Sequence, residues 1–315
     1  MESKEDPRPQ SQPRSSQHRH RSPLRYPGGK AALVPFVKKI IIANNLIGGE
    51  YIEPYAGGAA VAIELLASDF VTKIHINDYN PGVHAFWHAI LNQTDELLRL
   101  IQDTPVTLET RAAVKAVYLE SKNPENLELG FATFFLNRVN RSGVITGGVI
   151  GGLAQTGDYL MHCRYNKPDL IKIIEFIARY RNRIRLTNLD ALDLISSLSP
   201  DLNPKHLLYL DPPYFHKGSQ LYSSYYRAVD HAVIADKLRS LNKIKWMVSY
   251  DGCSEIEELF SGLKRLDYNL AYTANGSSTG RELMFFSSLL DVPHLAESKR
   301  VSPLTSHTQL TLPLS

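Results

Sequence analysis

The sequence predicts an α/β fold: a mostly parallel sheet with helices on both faces, interrupted by a helical insertion. Three observations carry that expectation. Short apolar runs alternate along the chain with amphipathic segments, the order that sets strands side by side with helices over them. From Tyr51 to Ala67 the chain reads as strand, glycine turn and helix, the layout of a nucleotide-type ligand site in a parallel sheet. Leu207-Leu208-Tyr209-Leu210 is an apolar run stopped by Asp211-Pro212-Pro213-Tyr214, which parks a carboxylate at the carboxyl end of a buried strand.

The bounds are those of an ordinary globular chain. Its 315 residues are 43% hydrophobic, enough for one large core or two modest ones. No apolar run approaches the roughly 18 residues of a membrane span, and the amino terminus lacks a signal-like apolar stretch, so an intracellular protein without membrane contact is expected. Cys163 and Cys253 are too few and too isolated for a disulfide framework or a structural zinc site, and the histidines lack ligand spacing, so no metal is expected. The formal charge of +3 says little by itself, but the basic residues are unevenly spread.

Residues 1–22 hold Pro, Gln, Ser, Arg and His with almost nothing apolar and are expected to be a disordered basic tail. Arg25-Tyr26-Pro27-Gly28-Gly29-Lys30 opens the ordered part as a tight turn before a helix over Ala31–Asn44; it lacks the spacing and hydroxyl of a phosphate-binding loop. The strand Tyr51–Glu53 feeds the turn Pro54-Tyr55-Ala56-Gly57-Gly58 and an apolar helix. The next strand, Val71–Ile76, ends in Asn77-Asp78, about 20 residues beyond the glycines, where an acid can hold a ribose hydroxyl pair.

A helical, polar block follows, with amphipathic segments at Val83–Leu100, Leu108–Ser121, Leu127–Asn140 and Leu170–Tyr180. Within it Asn137-Arg138-Val139-Asn140-Arg141-Ser142-Gly143 leads into Gly147-Gly148 and Gly151-Gly152, a glycine-rich loop with basic and amide residues at its mouth. Asn and Arg pair bidentately with base edges and Ser binds phosphate, so together with Arg25 and Arg164 this cluster favours nucleic acid over a plain salt-bridged surface. Strands resume at Arg183–Thr187, followed by Asp190 in a polar turn, then Leu207–Leu210, Trp246–Tyr250 and a closing pair at Arg265–Thr273 and Glu282–Leu290. Ser219–Tyr226 is a Tyr- and Ser-rich loop suited to covering a flat ligand, and the chain from about His294 lacks periodicity, so 293–315 is expected to be a flexible tail.

The ordered set Arg25-Tyr26-Pro27-Gly28-Gly29-Lys30, Glu53-Pro54-Tyr55-Ala56-Gly57-Gly58, Asn77-Asp78 and Asp211-Pro212-Pro213-Tyr214 resembles the DNA adenine-N6 methyltransferases of the Dam or D12 class. Arg164-Tyr165-Asn166 and Arg281-Glu282-Leu283 add to the likeness. The resemblance implies a Rossmann-like methyltransferase sheet, S-adenosylmethionine as cofactor and double-stranded DNA as partner. It also implies a monomeric cytoplasmic enzyme, prokaryotic or phage-encoded and working at the nucleoid, of the kind found in restriction-modification or defence systems. A discontinuous catalytic domain would span 23–91 and 182–292, around a target-recognition insertion at 92–181. Tyr26, Lys30, Glu53, Pro54, Tyr55, Gly57, Gly58, Asp78, Asp190 and Asp211 would bind the cofactor. Arg25, Asn137, Arg138, Asn140, Arg141, Ser142, Gly143 and Arg164 would meet DNA. Asp211, Pro212, Pro213 and Tyr214 would be catalytic.

The chemistry suits those residue types. Adenine N6 is a poor nucleophile because its lone pair is delocalised into the ring. Asp211 and the Pro212 carbonyl can each accept one N6 hydrogen, and Tyr214 can stack on the flipped base. Methylation of cytosine N4 or of an RNA adenine reuses the same amine chemistry, and a catalytically silent nucleic-acid-binding relative is the alternative from another class.

Overall fold

Alternation of side chains along the strands decides the architecture. On β4 (His206–Leu210), Leu207 and Tyr209 face one apolar layer while Leu208 and Leu210 face another. A strand buried on both faces must lie inside a sheet covered on both sides. The computed structural model describes residues 22–26, 29–198, 205–215, 226–272 and 278–304. Among these, β4 is joined by β1 (Gly49–Glu53), β2 (Val71–Asn77), β3 (Ile184–Thr187), β5 (Trp246–Asp251), β6 (Lys264–Tyr272), β7 (Ser278–Phe286) and β8 (Val301–Pro303). They form one sheet in the order β3-β2-β1-β4-β5-β7-β6-β8. From β3 to β5 every pairing is parallel, and antiparallel pairings then link β5 to β7, β7 to β6 and β6 to β8. The expected α/β class, mostly parallel with helices on both faces, is what the chain adopts.

The helices are α1 (Val34–Ala43), α2 (Ala60–Ala67), α3 (Pro81–Asn92), α4 (Thr94–Asp103), α5 (Leu108–Glu120), α6 (Leu127–Val139), α7 (Lys167–Ala178), α8 (Ala191–Ser197), α9 (Ala228–Ser240) and α10 (Ser254–Leu259). Side chains of α1, α2 and the block α3–α7 fill the larger core with Tyr209, Met284 and Phe286 of the sheet. Those of α8, α9 and α10 fill the other with Leu208, Val248 and Phe285. The single helix expected over Val83–Leu100 is two. Gln93 leaves the helical region at φ −134° and ψ 41°, and Asp95 and Glu96 follow in a fresh first turn where acids favour a helix start.

The expected tail from His294 is also corrected. Val301–Pro303 pairs with β6, and Leu295 and Val301 are buried because they complete its apolar face. A three-residue strand is too short to show a period in sequence. Of the tail expected over residues 1–22, residues 1–21 lie outside the described residues, as do 305–315 and most of the Tyr-rich loop, while Ser22 is held by a bond to Gly58 O.

In the helical block α3 and α6 approach closely. The rings of Phe86 and Phe134 stack at 5.3 Å, and a Cβ at Gly130 would sit 2.6 Å from the Ala85 carbonyl oxygen. Gly130→Ala should therefore destabilise the chain by about 1–3 kcal/mol, the usual cost of overpacking, in chemical denaturation. Unchanged stability would show that the two helices can separate freely.

Candidate active site

Sheet topology places the site before any side chain is considered. β2 and β4 flank β1, and connections leave it in opposite directions, which opens a crevice beyond the carboxyl ends of these strands. Glu53, Asp78 and Asp211 stand at those ends. The cleft there has a volume of about 860 Å³, room for more than one small molecule, and Asp190 and Pro213 also border it.

One half is built on the glycine turn. Gly57 adopts φ +45°, and a Cβ there would lie 2.7 Å from the Tyr26 ring, so only glycine fits beneath that ring. The Gly57 N–H donates to Asp78 Oδ2 at 2.9 Å, and the Asn80 N–H donates to Asp78 Oδ1 at 2.9 Å. Asp78 thus fastens the turn to β2, and each oxygen retains a second lone pair toward a ligand. Asn80, not Asp78, caps α3. Two further anchors hold the turn: Asn77, of the Asn77-Asp78 motif, donates to the Pro54 and Leu189 carbonyls, and Trp87, which gave no sequence signal, donates through Nε1 to Gly57 O at 2.9 Å. Asp190 caps α8 through Leu192 N, and the hydroxyls of Tyr55 and Tyr226 meet at 3.0 Å. Burial pushes the Asp78 carboxyl up to about 6, against its two backbone hydrogen bonds, and the Glu53 carboxyl up to about 8.

The other half is a buried charge network. Lys30, in a 3-10 turn leading into α1, places its ammonium 3.0 Å from Asp211 Oδ1 and 3.3 Å from Glu282 Oε2, and donates to the Tyr214 hydroxyl at 3.0 Å. Tyr214 in turn donates to Glu282 Oε1 at 2.8 Å. Burial alone would lower the Lys30 pKa, but Asp211 and Glu282 outweigh it and raise it well above its ordinary value. Asp211 Oδ1 also accepts from Ser249 Oγ, at 2.8 Å, so the Ser249 oxygen receives the Tyr209 hydroxyl proton across 2.9 Å. Both contacts fall on Oδ1, which leaves Oδ2 of a side chain 27% exposed for an incoming donor.

One sequence expectation gains a second contact and another changes. Lys30 borders the cleft, and its ammonium also holds the Asp211 carboxylate. Tyr214 is 5% exposed with its ring beneath the Lys30 ammonium, because the hydroxyl's bond to buried Glu282 turns it inward; Pro213 presents the face toward the cleft. Glu282 and Ser249 were missed as members of the network. Glu282 lay within a motif already noted, while Ser249 gave no signal beyond a polar residue in a buried strand.

Residues 26–274 match the sequence profile of the D12 class N6 adenine-specific DNA methyltransferases. The chain belongs to that family. It is therefore an adenine methyltransferase at family level, and its sheet is the Rossmann-like methyltransferase sheet. No curated protein matches the chain. Solved structures to which it is similar include a conserved hypothetical protein of Streptococcus pyogenes, at 12% identity and TM-score 0.31 over 78% of this chain and 90% of that one. The rRNA methyltransferase aviRa from Streptomyces viridochromogenes aligns at 13% identity and TM-score 0.37 over 84% and 87%. A Legionella pneumophila protein aligns at 13% and 0.30 over 82% and 85%.

In this methyltransferase the residues expected to meet DNA divide into two groups. Asn137 and Asn140 are buried, and both amides are consumed internally. Asn137 accepts from Arg25 N and donates to the Arg25 and Gly143 carbonyls; Asn140 accepts from Arg111 Nε and donates to the Val144 and Ile145 carbonyls. Direct base reading by these two is corrected to a framework role, since satisfied buried amides have no donor left for a base. Arg111, which also donates to Gly147 O, had no sequence signal. Gly143, at φ +77°, has Arg25 O 2.0 Å from the position of a Cβ. Arg25 and Arg138 donate to backbone carbonyls of the same loops. Arg141 and Arg164 are exposed, and Ser142 is half-buried at the cleft. Among the described residues none of Arg25, Arg138, Arg141 or Arg164 has an ion-pair partner, and burial together with Arg25 and Arg164 lowers the Arg138 pKa to about 10.

The buried Glu53 gives a signed pH test. Its carboxyl holds a proton up to about pH 8 in the folded chain against 4.5 ordinarily, so the folded state binds more protons in that window and stability falls as pH rises through it. Glu53→Gln removes that component. The stability of wild type relative to the variant should decline between pH 5 and pH 8 in chemical denaturation, and a difference independent of pH would refute the assignment.

Proposed function

We propose that this family member is a site-specific DNA adenine N6-methyltransferase that takes its methyl group from S-adenosylmethionine and acts on an adenine flipped out of duplex DNA. The observation that carries this is the Asp211 carboxylate at the end of β4, with Oδ1 held by Lys30 and Ser249 and Oδ2 left toward the cleft. An exocyclic amine needs such a fixed acceptor. Asp211 Oδ2 accepts one N6 hydrogen and the Pro212 carbonyl the other, which localises the nitrogen lone pair for attack.

S-adenosylmethionine supplies an electrophilic methyl group on a sulfonium, together with an ammonium and ribose hydroxyls. The donor set fits it: Asp78 and Asp190 offer acceptors over β2 and α8, and Tyr26, Pro54, Tyr55, Gly57 and Gly58 frame the turn. Glu53, protonated near neutral pH, can donate as well as accept. Lys30 and Tyr214 position Asp211 instead of touching the base. Residues 92–181 serve as the recognition lobe between catalytic segments 23–91 and 182–292. Arg138, Arg141 and Arg164 of that lobe, with Arg25 packed against it, form an uncompensated positive rim that suits a phosphate backbone, and a base extruded from the stack brings N6 to the cleft.

Asp211→Ala should lower methyl transfer to duplex DNA by at least about 10²-fold while S-adenosylmethionine still binds. Tritiated-methyl transfer followed by nucleoside analysis reads both the rate and the methylated base. Normal turnover in the variant, or label recovered on cytosine, would sink the proposal.

A further inference from the structure

The family match ends at residue 274, yet the chain returns to the cleft well beyond it. β8 pairs antiparallel with β6, Val301 opposite Leu270 and Pro303 opposite Tyr268. β6 runs in the same direction as β5 and β4, because both β5 and β6 are antiparallel to β7 and β5 is parallel to β4. The amino end of β8 therefore lies at the carboxyl edge of the sheet, the edge that carries Asp211. Arg300 stands there. Its carbonyl accepts from Ala271 N at 2.9 Å, and Ser298 Oγ accepts from Arg300 N and Val301 N, so the backbone is pinned on both sides.

The side chain lines the same cleft as Asp211. Among the described residues it has no ion-pair partner, and its Nε is buried without a hydrogen-bond acceptor. A guanidinium nitrogen withdrawn from water without an acceptor is costly, which points to a ligand. Its neighbours on the wall, Leu270 and Ala271, carry no charge to satisfy it.

Position decides which anion. Adjacent strands lie about 4.8 Å apart, so β8, five strands along from β1, is about 24 Å from the glycine turn's strand. That is too far for the carboxylate of a small molecule held over β1 and β2. A polymer that presents an anion every few ångströms spans it. We propose that Arg300 holds a phosphate of the DNA backbone flanking the target adenine, making the carboxyl-terminal strand a second wall of the DNA channel opposite Arg141 and Arg164. This rests on the reading of the chain as a DNA methyltransferase.

The test uses the full-length protein, duplex DNA and S-adenosylmethionine, with Arg300→Ala, Arg300→Gln and Arg300→Lys. Logarithmic DNA affinity is plotted against logarithmic salt concentration. Loss of one phosphate contact should reduce the slope by about 1 in the Ala and Gln variants, whereas Lys should restore it. S-adenosylmethionine affinity should stay at the wild-type value, and thermal melting confirms that each variant folds. An unchanged slope in folded Ala or Gln variants overturns the inference while leaving the methyltransferase reading intact. Weakened S-adenosylmethionine binding with an unchanged DNA slope overturns it in favour of a cofactor contact. A wild type that neither binds nor methylates duplex DNA removes both readings.

Discussion

The burial of the Lys30 ammonium between Asp211 and Glu282 is the constraint on which the rest of the reactive half depends. It joins the turn before α1, the end of β4 and the middle of β7, three segments far apart in the chain. Withdrawing one cation and the Glu282 carboxylate from water, and Asp211 in part, is costly, and the geometry offsets that only while all three remain together with the Tyr214 and Ser249 hydrogen bonds. Stability and the orientation of the Asp211 carboxylate are therefore tied at one point, since Lys30 and Ser249 together fix its rotation.

Strand alternation explains how such a cluster arises. Leu207 and Tyr209 face the larger core, and Asp211 continues the same face one step beyond the strand; on β7, Glu282 continues the face of Met284 and Phe286. The acids thus occupy positions where an apolar side chain would otherwise complete the layer. Lys30 meets them in that layer, which is why Lys30 and Glu282 are buried while Asp211, one step past the strand, stays partly exposed.

Much of this was legible in the sequence because its signals are local. A period of two, a Pro-Pro stop and a glycine pair each act within a few residues, so the sheet, the glycine turn and the Asp211 terminus could be read directly. The partnership of Lys30 with Glu282 could not, since it depends on tertiary approach. Asn137 and Asn140 show a different limit. The same amide that pairs with a base edge also clasps backbone carbonyls, and only burial separates the two uses. Arg111 reads as one more cation on an amphipathic helix until its bonds to Asn140 and Gly147 are seen. β8 escaped notice because three residues cannot display a pattern.

The segment from Ser22 to Tyr26 is held on both sides at once. Ser22 bonds Gly58 O, the Tyr26 ring lies on Gly57, and Asn137 clasps Arg25 at both its N–H and its carbonyl while Gly143 leaves no room for a side chain against it. This short stretch is a keystone shared by the glycine turn and the helical block. The block is consequently not a cassette that can be exchanged between relatives at its own two junctions. A chimaera that replaces the helical block would have to carry matching residues 22–26 with it, so sequence change in the block is coupled to a stretch more than 100 residues away along the chain.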